Sequence, residues 1–162
     1  MNENLWAPWR MKYIEKAGES GNIFMDLPAA NDDRANLILY RGKTAFVMLN
    51  AYPYTSGHLL IAPYRQTNDL PSMTDAELLE IHQLLAKSVK WLQIAYNPQG
   101  FNIGVNIGSA SGAGIPIHLH WHVVPRWSGD TNFMTTIGEI RVMPSTLEDS
   151  YDKLMEIIRN DP

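Results

Sequence analysis

Apolar and polar residues follow two rhythms along this chain, and the switches between them mark its elements. Leu37-Ile38-Leu39-Tyr40 and Ala45-Phe46-Val47-Met48-Leu49-Asn50 are apolar, β-prone runs separated by Arg41-Gly42-Lys43, which predicts two strands joined by a tight turn. Gly57-His58-Leu59-Leu60-Ile61-Ala62-Pro63 reads as a third strand, stopped by its proline. At Thr74 the rhythm changes. Leu78, Ile81, Leu85, Leu92 and Ala95, joined by Leu84 and Val89, recur at helical spacing for about five turns. Thr74-Asp75-Ala76-Glu77 opens that helix as a capping box, and Asn97-Pro98-Gln99-Gly100 ends it. Phe101, Ile103, Val105 and Ile107 then alternate with Asn102, Gly104 and Asn106, a half-buried strand that presents asparagines on one face.

Period two returns in His118-Leu119-His120-Trp121-His122-Val123-Val124, which continues to Trp127 as a fifth strand. Extended, it places three imidazoles on one face and Leu119, Trp121 and Val123 on the other, so one face reads as a site and the other as its anchorage. Residues 21–36, with Pro28, Asn31, Asp32 and Asp33, read as a loop, and 128–144 as irregular. Ser145-Thr146-Leu147-Glu148 forms a second capping box before Leu147, Tyr151, Leu154, Met155 and Ile158 of a short amphipathic helix. The expected fold is α+β: a roughly five-stranded antiparallel sheet with one long helix packed on it and a short C-terminal helix. One domain is expected over 1–162, with an aromatic N-terminal arm at 1–20 and a C-terminal extension at 128–162. The arm, Leu5-Trp6-Ala7-Pro8-Trp9-Arg10-Met11-Lys12-Tyr13-Ile14, either packs on its own domain or makes a subunit contact.

Composition narrows the picture. A chain of 162 residues, 45% hydrophobic and 19% charged, can bury a real core, and no apolar run approaches the roughly 18 residues that span a bilayer. A net charge of −4 argues against non-specific nucleic-acid binding but not against a small anionic ligand. Without cysteine there is no disulfide or thiolate–zinc site, and the cytoplasm is the default compartment.

The histidine stretch admits three chemistries. Neutral imidazoles suit zinc, but consecutive same-face positions lie about 7 Å apart, so all three rarely converge on one ion, although two can. A purely structural ladder would be a costly way to fill space. The third reading is nucleophilic catalysis by a neutral histidine whose second nitrogen is held by a fixed acceptor. The lead-in Gly108-Ser109-Ala110-Ser111-Gly112-Ala113-Gly114 favours this last, because such a turn offers backbone N–H groups to a phosphate. No Lys-Ser or Lys-Thr follows the glycines, so it is not a P-loop. His82, mid-helix, reads as a surface or packing residue, and Arg65 and Arg126 as solvated cations that could also meet phosphate.

The stretch from His118 to Val124 resembles the His-φ-His-φ-His-φ-φ signature of the histidine triad (HIT) superfamily. Asn50 through Pro63 and Asn106-Ile107-Gly108-Ser109 are similar to further segments of that family. The two ends, Leu5 to Arg10 and Pro125 to Phe133, resemble its bacterial diadenosine tetraphosphate phosphorylase or hydrolase branch. The resemblance implies that His120 attacks the α-phosphorus and forms a nucleotidyl-histidine, that His118 and His122 bind phosphate oxygens and orient it, and that His58 supports the triad. It further implies that Asn50 contacts ribose hydroxyls and that Asn106 and Ser109 lie near the phosphates. Ile23, Phe24, Met48 and Leu60 fall where the family forms its base pocket, although as residues they also read as ordinary core.

Two departures stand out. Where relatives carry Cys-x-x-Cys and a later histidine as a structural zinc site, this chain has Asn22, Met25 and Gln66, which are poor zinc ligands, so no metal is expected there. Just before the triad, Gly114-Ile115-Pro116-Ile117 offers no polar side chain to a leaving group. The expected function is a nucleotide-binding hydrolase or nucleotidyltransferase acting on dinucleoside polyphosphates. No cofactor is implied, beyond a divalent cation that can accompany the polyphosphate. The alternatives are a nucleoside phosphoramidate hydrolase, or a nucleotide-binding interaction module with weak catalysis. The implied partners are the small-molecule nucleotide and further copies of the chain in a homodimer or higher homo-oligomer, with neither nucleic acid nor membrane.

Overall fold

The computed structural model describes residues 21–131 and 145–161. The aromatic arm and residues 132–144 of the irregular segment lie outside them. The described residues form one antiparallel sheet of β1 (Ile38–Arg41), β2 (Ala45–Leu49), β3 (Leu59–Pro63), β4 (Gly100–Val105) and β5 (Trp121–Arg126), in the order β1-β2-β3-β5-β4. Three α-helices accompany it: α1 (Ile23–Ala29), α2 (Asp75–Tyr96) and α3 (Leu147–Arg159). This is the α+β architecture expected, with the predicted capping box at Thr74 and Glu77 in place.

Strand alternation decides which face each residue serves. Val47, Leu49, Leu59, Ile61, Trp121 and Val123 point to one side, where Ile81, Leu84 and Leu92 of α2 and Leu154 of α3 close the main core. Phe46, Met48, Leu60 and Ala62 point to the other side and form a smaller cluster with Phe24 of α1. His122 shares that second face, since it stands opposite Leu60 of β3 and Gly104 of β4.

Three expectations require correction. The loop expected over 21–36 contains α1. Asn22 caps it by accepting from the Phe24 N–H, and burial of Phe24 outweighs the bond lost at Pro28 inside the helix. The C-terminal helix is capped one residue later than expected, by Thr146, which accepts from the Asp149 N–H. The strands are also shorter: β3 starts after His58, and β5 starts at Trp121, so His118 and His120 precede it.

One carboxylate ties α2 to the β1–β2 turn. Glu80 accepts from the backbone N–H groups of Lys43, Thr44 and Ala45 and from the Thr44 hydroxyl. Gly42 permits the approach, because a Cβ there would lie 2.6 Å from Glu80 Oε1. Glu80→Ala leaves these donors without their partner and is expected to cost about 1–3 kcal/mol, read as a lower urea midpoint at unchanged m-value.

Candidate active site

The site is assembled from two segments, the loop before β3 and the lead into β5. His58, fully buried, is delivered by the loop between β2 and β3, and Thr55 ties that loop to β5 by donating to the Pro125 carbonyl at 2.9 Å. Gly57 makes the close turn possible: its φ is +79°, and a Cβ would meet Tyr96 and Leu92 of α2 at 2.8 and 2.9 Å. Ahead of β5, the Leu119 N–H donates to the Thr67 carbonyl at 2.7 Å while its side chain is buried in the main core. The apolar partners of the triad therefore anchor it as the pattern predicted, although only His122 lies on the strand proper.

Hydrogen bonds fix the tautomer of each ring. A carbonyl can only accept, so His120 Nδ1, 2.9 Å from the His118 carbonyl oxygen, carries the proton, and its Nε2 presents a lone pair. His118 Nε2 donates to the Pro63 carbonyl at 2.9 Å, which leaves its Nδ1 to accept from the Asn22 amide nitrogen at 2.8 Å. His58 Nδ1 accepts from the Tyr54 N–H at 3.1 Å and from the Asn50 amide nitrogen at 3.2 Å, so its proton sits on Nε2. That proton is donated to His122 Nδ1 at 2.9 Å. His122 must then carry its own proton on Nε2, which is buried and has no hydrogen-bond partner among the described residues. One unpartnered lone pair and one unpartnered, buried N–H thus stand on neighbouring rings, whose centroids are 5.1 Å apart.

All three triad rings are held neutral at pH 7. Burial pushes His118 below the ordinary imidazole value of 6.5, against the Pro63 bond and with the help of His120. Burial likewise lowers His120, opposed by its bond to the His118 carbonyl. His122 is driven down to about 4 by burial and by the neighbouring His120. If one of these rings reacts as the free base, the acid limb of kcat/KM is expected to lie below that of an exposed imidazole. Stability follows the same sign. Between pH 6.5 and about 4 the unfolded chain binds a proton at His122 that the folded chain does not, so the melting temperature should fall as pH drops through that window, and less steeply in His122→Asn.

The remaining expected residues distribute around this pair. Phe24 packs its ring 4.7 Å from His120 and 5.3 Å from His118. Met48 and Leu60 lie buried in the same cluster, and Ile23 packs half-buried against it. On the far side of His122 a cleft of about 420 Å³ is lined by Tyr54, Asn102, Asn106, Arg126 and Asp130 among others. Asn50 directs its amide oxygen to the Tyr52 N–H and its nitrogen to His58. Ser109 stands exposed in a short 3-10 turn after Gly108. Arg65 and Arg126 are paired with Glu77 and Asp130. His82 is exposed and bonds the Leu78 carbonyl of its own helix.

Both ring nitrogens of His118 already have protein partners, so the ring presents none to a phosphate oxygen. Its carbonyl oxygen accepts from His120 Nδ1 at 2.9 Å. The three positions matching the family's zinc site do not fit a metal. The Asn22 amide is committed to His118 and the Phe24 N–H, while Met25 and Gln66 are exposed. Sequence reasoning missed the contact of Asn22 with the triad, and also Tyr54, whose ring lies 4.6 Å from His58 and stacks at 6.0 Å on His122. The N-cap signal of Asn22 before an apolar pair was the clue available for the first.

Comparison with known proteins agrees with this geometry. The family model for the HIT domain matches residues 32–129. Over 157 residues the chain is 38% identical to an AP-4-A phosphorylase of Mycobacterium tuberculosis, covering 91% of this chain and 80% of that protein. It is 30% identical over 94 residues to a bis(5'-adenosyl)-triphosphatase of Saccharomyces cerevisiae, covering 56% of this chain and 44% of that one. The fold is shared with a Zn-bound histidine triad family protein from Mycobacterium smegmatis, with a TM-score of 0.62 at 22% identity over 91% of this chain and 92% of that one. With its central 98 residues matching the domain model and its described residues forming a five-stranded antiparallel sheet, the chain belongs to the HIT family.

Proposed function

We propose that this protein cleaves dinucleoside polyphosphates of the diadenosine tetraphosphate kind at the α-phosphorus, with His120 as nucleophile and inorganic phosphate as second acceptor. The observation that carries this reading is the pairing of a His120 Nε2 lone pair with an unpartnered His122 Nε2–H. In the first step His120 Nε2 bonds to phosphorus and the bridging P–O bond breaks, releasing a nucleoside triphosphate. The nucleotidyl-imidazolium keeps its Nδ1–H on the His118 carbonyl. In the second step a phosphate oxygen attacks the same phosphorus, the N–P bond breaks, and neutral His120 is restored with a nucleoside diphosphate as product. Splitting one displacement into two is what nucleophilic catalysis contributes.

His122, neutral above about pH 4, acts in this reading as a hydrogen-bond donor to a phosphate oxygen rather than as an acid. His58 keeps it in that tautomer. Asn50 retains amide-oxygen capacity for a ribose hydroxyl, Asn106 and Ser109 take the phosphate side, and Ile23, Phe24, Met48 and Leu60 form the base side. Among the described residues, Gly114-Ile115-Pro116-Ile117 supplies no side-chain donor, so in this reading the leaving oxygen is met by the His122 N–H together with Ser109, Ser111 or backbone N–H groups of the turn.

The likeness to the M. tuberculosis protein supports phosphate over water as acceptor. The test is incubation with diadenosine tetraphosphate, with and without phosphate, followed by resolution of the nucleotides. Phosphate-dependent ADP and ATP are expected. AMP and ATP in its absence and presence alike would make the enzyme a hydrolase, and tight binding without turnover would leave only a nucleotide-binding module. A cytoplasmic homodimer completes the reading. It is supported by the absence of cysteine, by no described helix being long and apolar enough to cross a membrane, and by the edge position of β4, near which Ile103 and Ile107 are exposed.

A further inference from the structure

We propose that Asn22 is a positioning residue of the triad: its amide nitrogen holds His118 in the neutral Nε2–H tautomer, and through the His118 carbonyl it sets the ring of the nucleophile. The proposal deepens the function given above and rests on it for its kinetic consequence, but the hydrogen bond itself stands independently.

Four observations converge on this residue. The Asn22 amide is oriented without ambiguity, because its oxygen accepts from the Phe24 N–H at 3.2 Å and its nitrogen therefore faces His118 Nδ1 at 2.8 Å. His118 is 1% exposed, so no water replaces that donor readily. The same ring donates through Nε2 to the end of β3 at Pro63, and its backbone oxygen receives the His120 Nδ1–H. Finally, Asn22 begins the helix whose Phe24 ring lies against both His118 and His120. One side chain thus joins the start of α1, on the proposed base side, to the residue whose carbonyl determines which His120 nitrogen is free.

Capping alone does not call for asparagine. Aspartate and serine cap a helix as well, since each supplies an oxygen to the free N–H. What the amide adds is a donor nitrogen separate from the capping oxygen, which faces a buried imidazole nitrogen while the oxygen caps. The place that zinc-binding relatives give to a cysteine is occupied here by a residue that grips His118 directly, while Met25 and Gln66 take no part. At the opposite end of the site Asn50 does the same for His58, its oxygen on the Tyr52 N–H and its nitrogen on Nδ1.

Asn22→Asp keeps the cap and the size but turns the donor into an acceptor. His118 Nδ1 must then take up a proton, because Nε2 already faces the Pro63 carbonyl, and the resulting imidazolium sits next to the nucleophile. Asn22→Ser keeps a capping oxygen but loses the separate, longer-reaching amide nitrogen that meets His118. Both variants are expected to retain the wild-type melting temperature within a few degrees and to lose at least about tenfold in kcat with KM changed less than about threefold. Long-range ¹H–¹⁵N spectra of labelled wild-type protein should show His118 as the neutral Nε2–H tautomer, with a scalar coupling across the hydrogen bond from the Asn22 side-chain nitrogen. In Asn22→Asp both His118 nitrogens should be protonated. A missing coupling in the wild type, an unchanged His118 tautomer in Asn22→Asp, or wild-type kcat in both variants would overturn the proposal. If the wild type does not turn over diadenosine tetraphosphate, the proposed function fails, and the spectra still decide the role of Asn22.

Discussion

Replacing His120 by asparagine is expected to lower turnover of diadenosine tetraphosphate by at least about a thousandfold while changing its affinity less than about threefold. An asparagine amide can still donate to the His118 carbonyl, so the local hydrogen bond and much of the volume survive. What disappears is the Nε2 lone pair, the one ring nitrogen of the triad that has neither a proton nor a partner among the described residues. The proposed binding surroundings, Phe24 with its cluster and the cleft that His122 helps line, are untouched. Isothermal titration beside steady-state assays separates the two quantities. Wild-type turnover in this variant would remove His120 from the reaction.

The second large effect is expected from His58→Ala. His58 reacts with nothing, but it passes a tautomer inward from the backbone: the Tyr54 N–H fixes its Nδ1 as acceptor, and its Nε2–H then makes the facing nitrogen of His122 an acceptor too. Without it, His122 can place its proton on Nδ1, and Nε2, the proposed donor to phosphate, becomes a lone pair that repels a phosphate oxygen. A loss of about a hundredfold in kcat is expected, in the range measured when one preorganised donor to developing charge is removed. Since His58 is fully buried, a stability loss accompanies it, so the assay belongs well below the variant's melting temperature. His58→Gln, whose amide can still donate, should recover part of the rate. Equal rates in the alanine and glutamine variants would show that the relay does not act through a hydrogen bond.

Much of this arrangement was legible in the chain, because period-two alternation is a direct projection of which face of a sheet a residue serves. Val47, Leu49, Leu59, Ile61, Trp121 and Val123 all meet the helices as their spacing required. Other features depend on contacts distant in sequence. α1 was read as a loop, since Pro28 and the Asn31-Asp32-Asp33 run are local breakers, whereas its stability comes from Phe24 buried against residues of β2, β3 and the triad. The surroundings of His118 are illegible for a related reason. Alternation put its side chain beside those of His120 and His122 but could not show that Pro63 and Asn22 would occupy both of its nitrogens. Tautomers were likewise beyond reach, because they are set by carbonyls and N–H groups from β3 and from the loop at Tyr54.

The claim that a covalent bond forms at His120 Nε2 is tested most directly by mixing the enzyme with diadenosine tetraphosphate in the absence of phosphate, quenching in alkaline denaturant, and mapping the modified peptide by mass spectrometry. One adenylyl group on His120 is expected, disappearing when phosphate is added and absent from His120→Asn. An adduct on another residue, or one that persists in His120→Asn, would contradict the account.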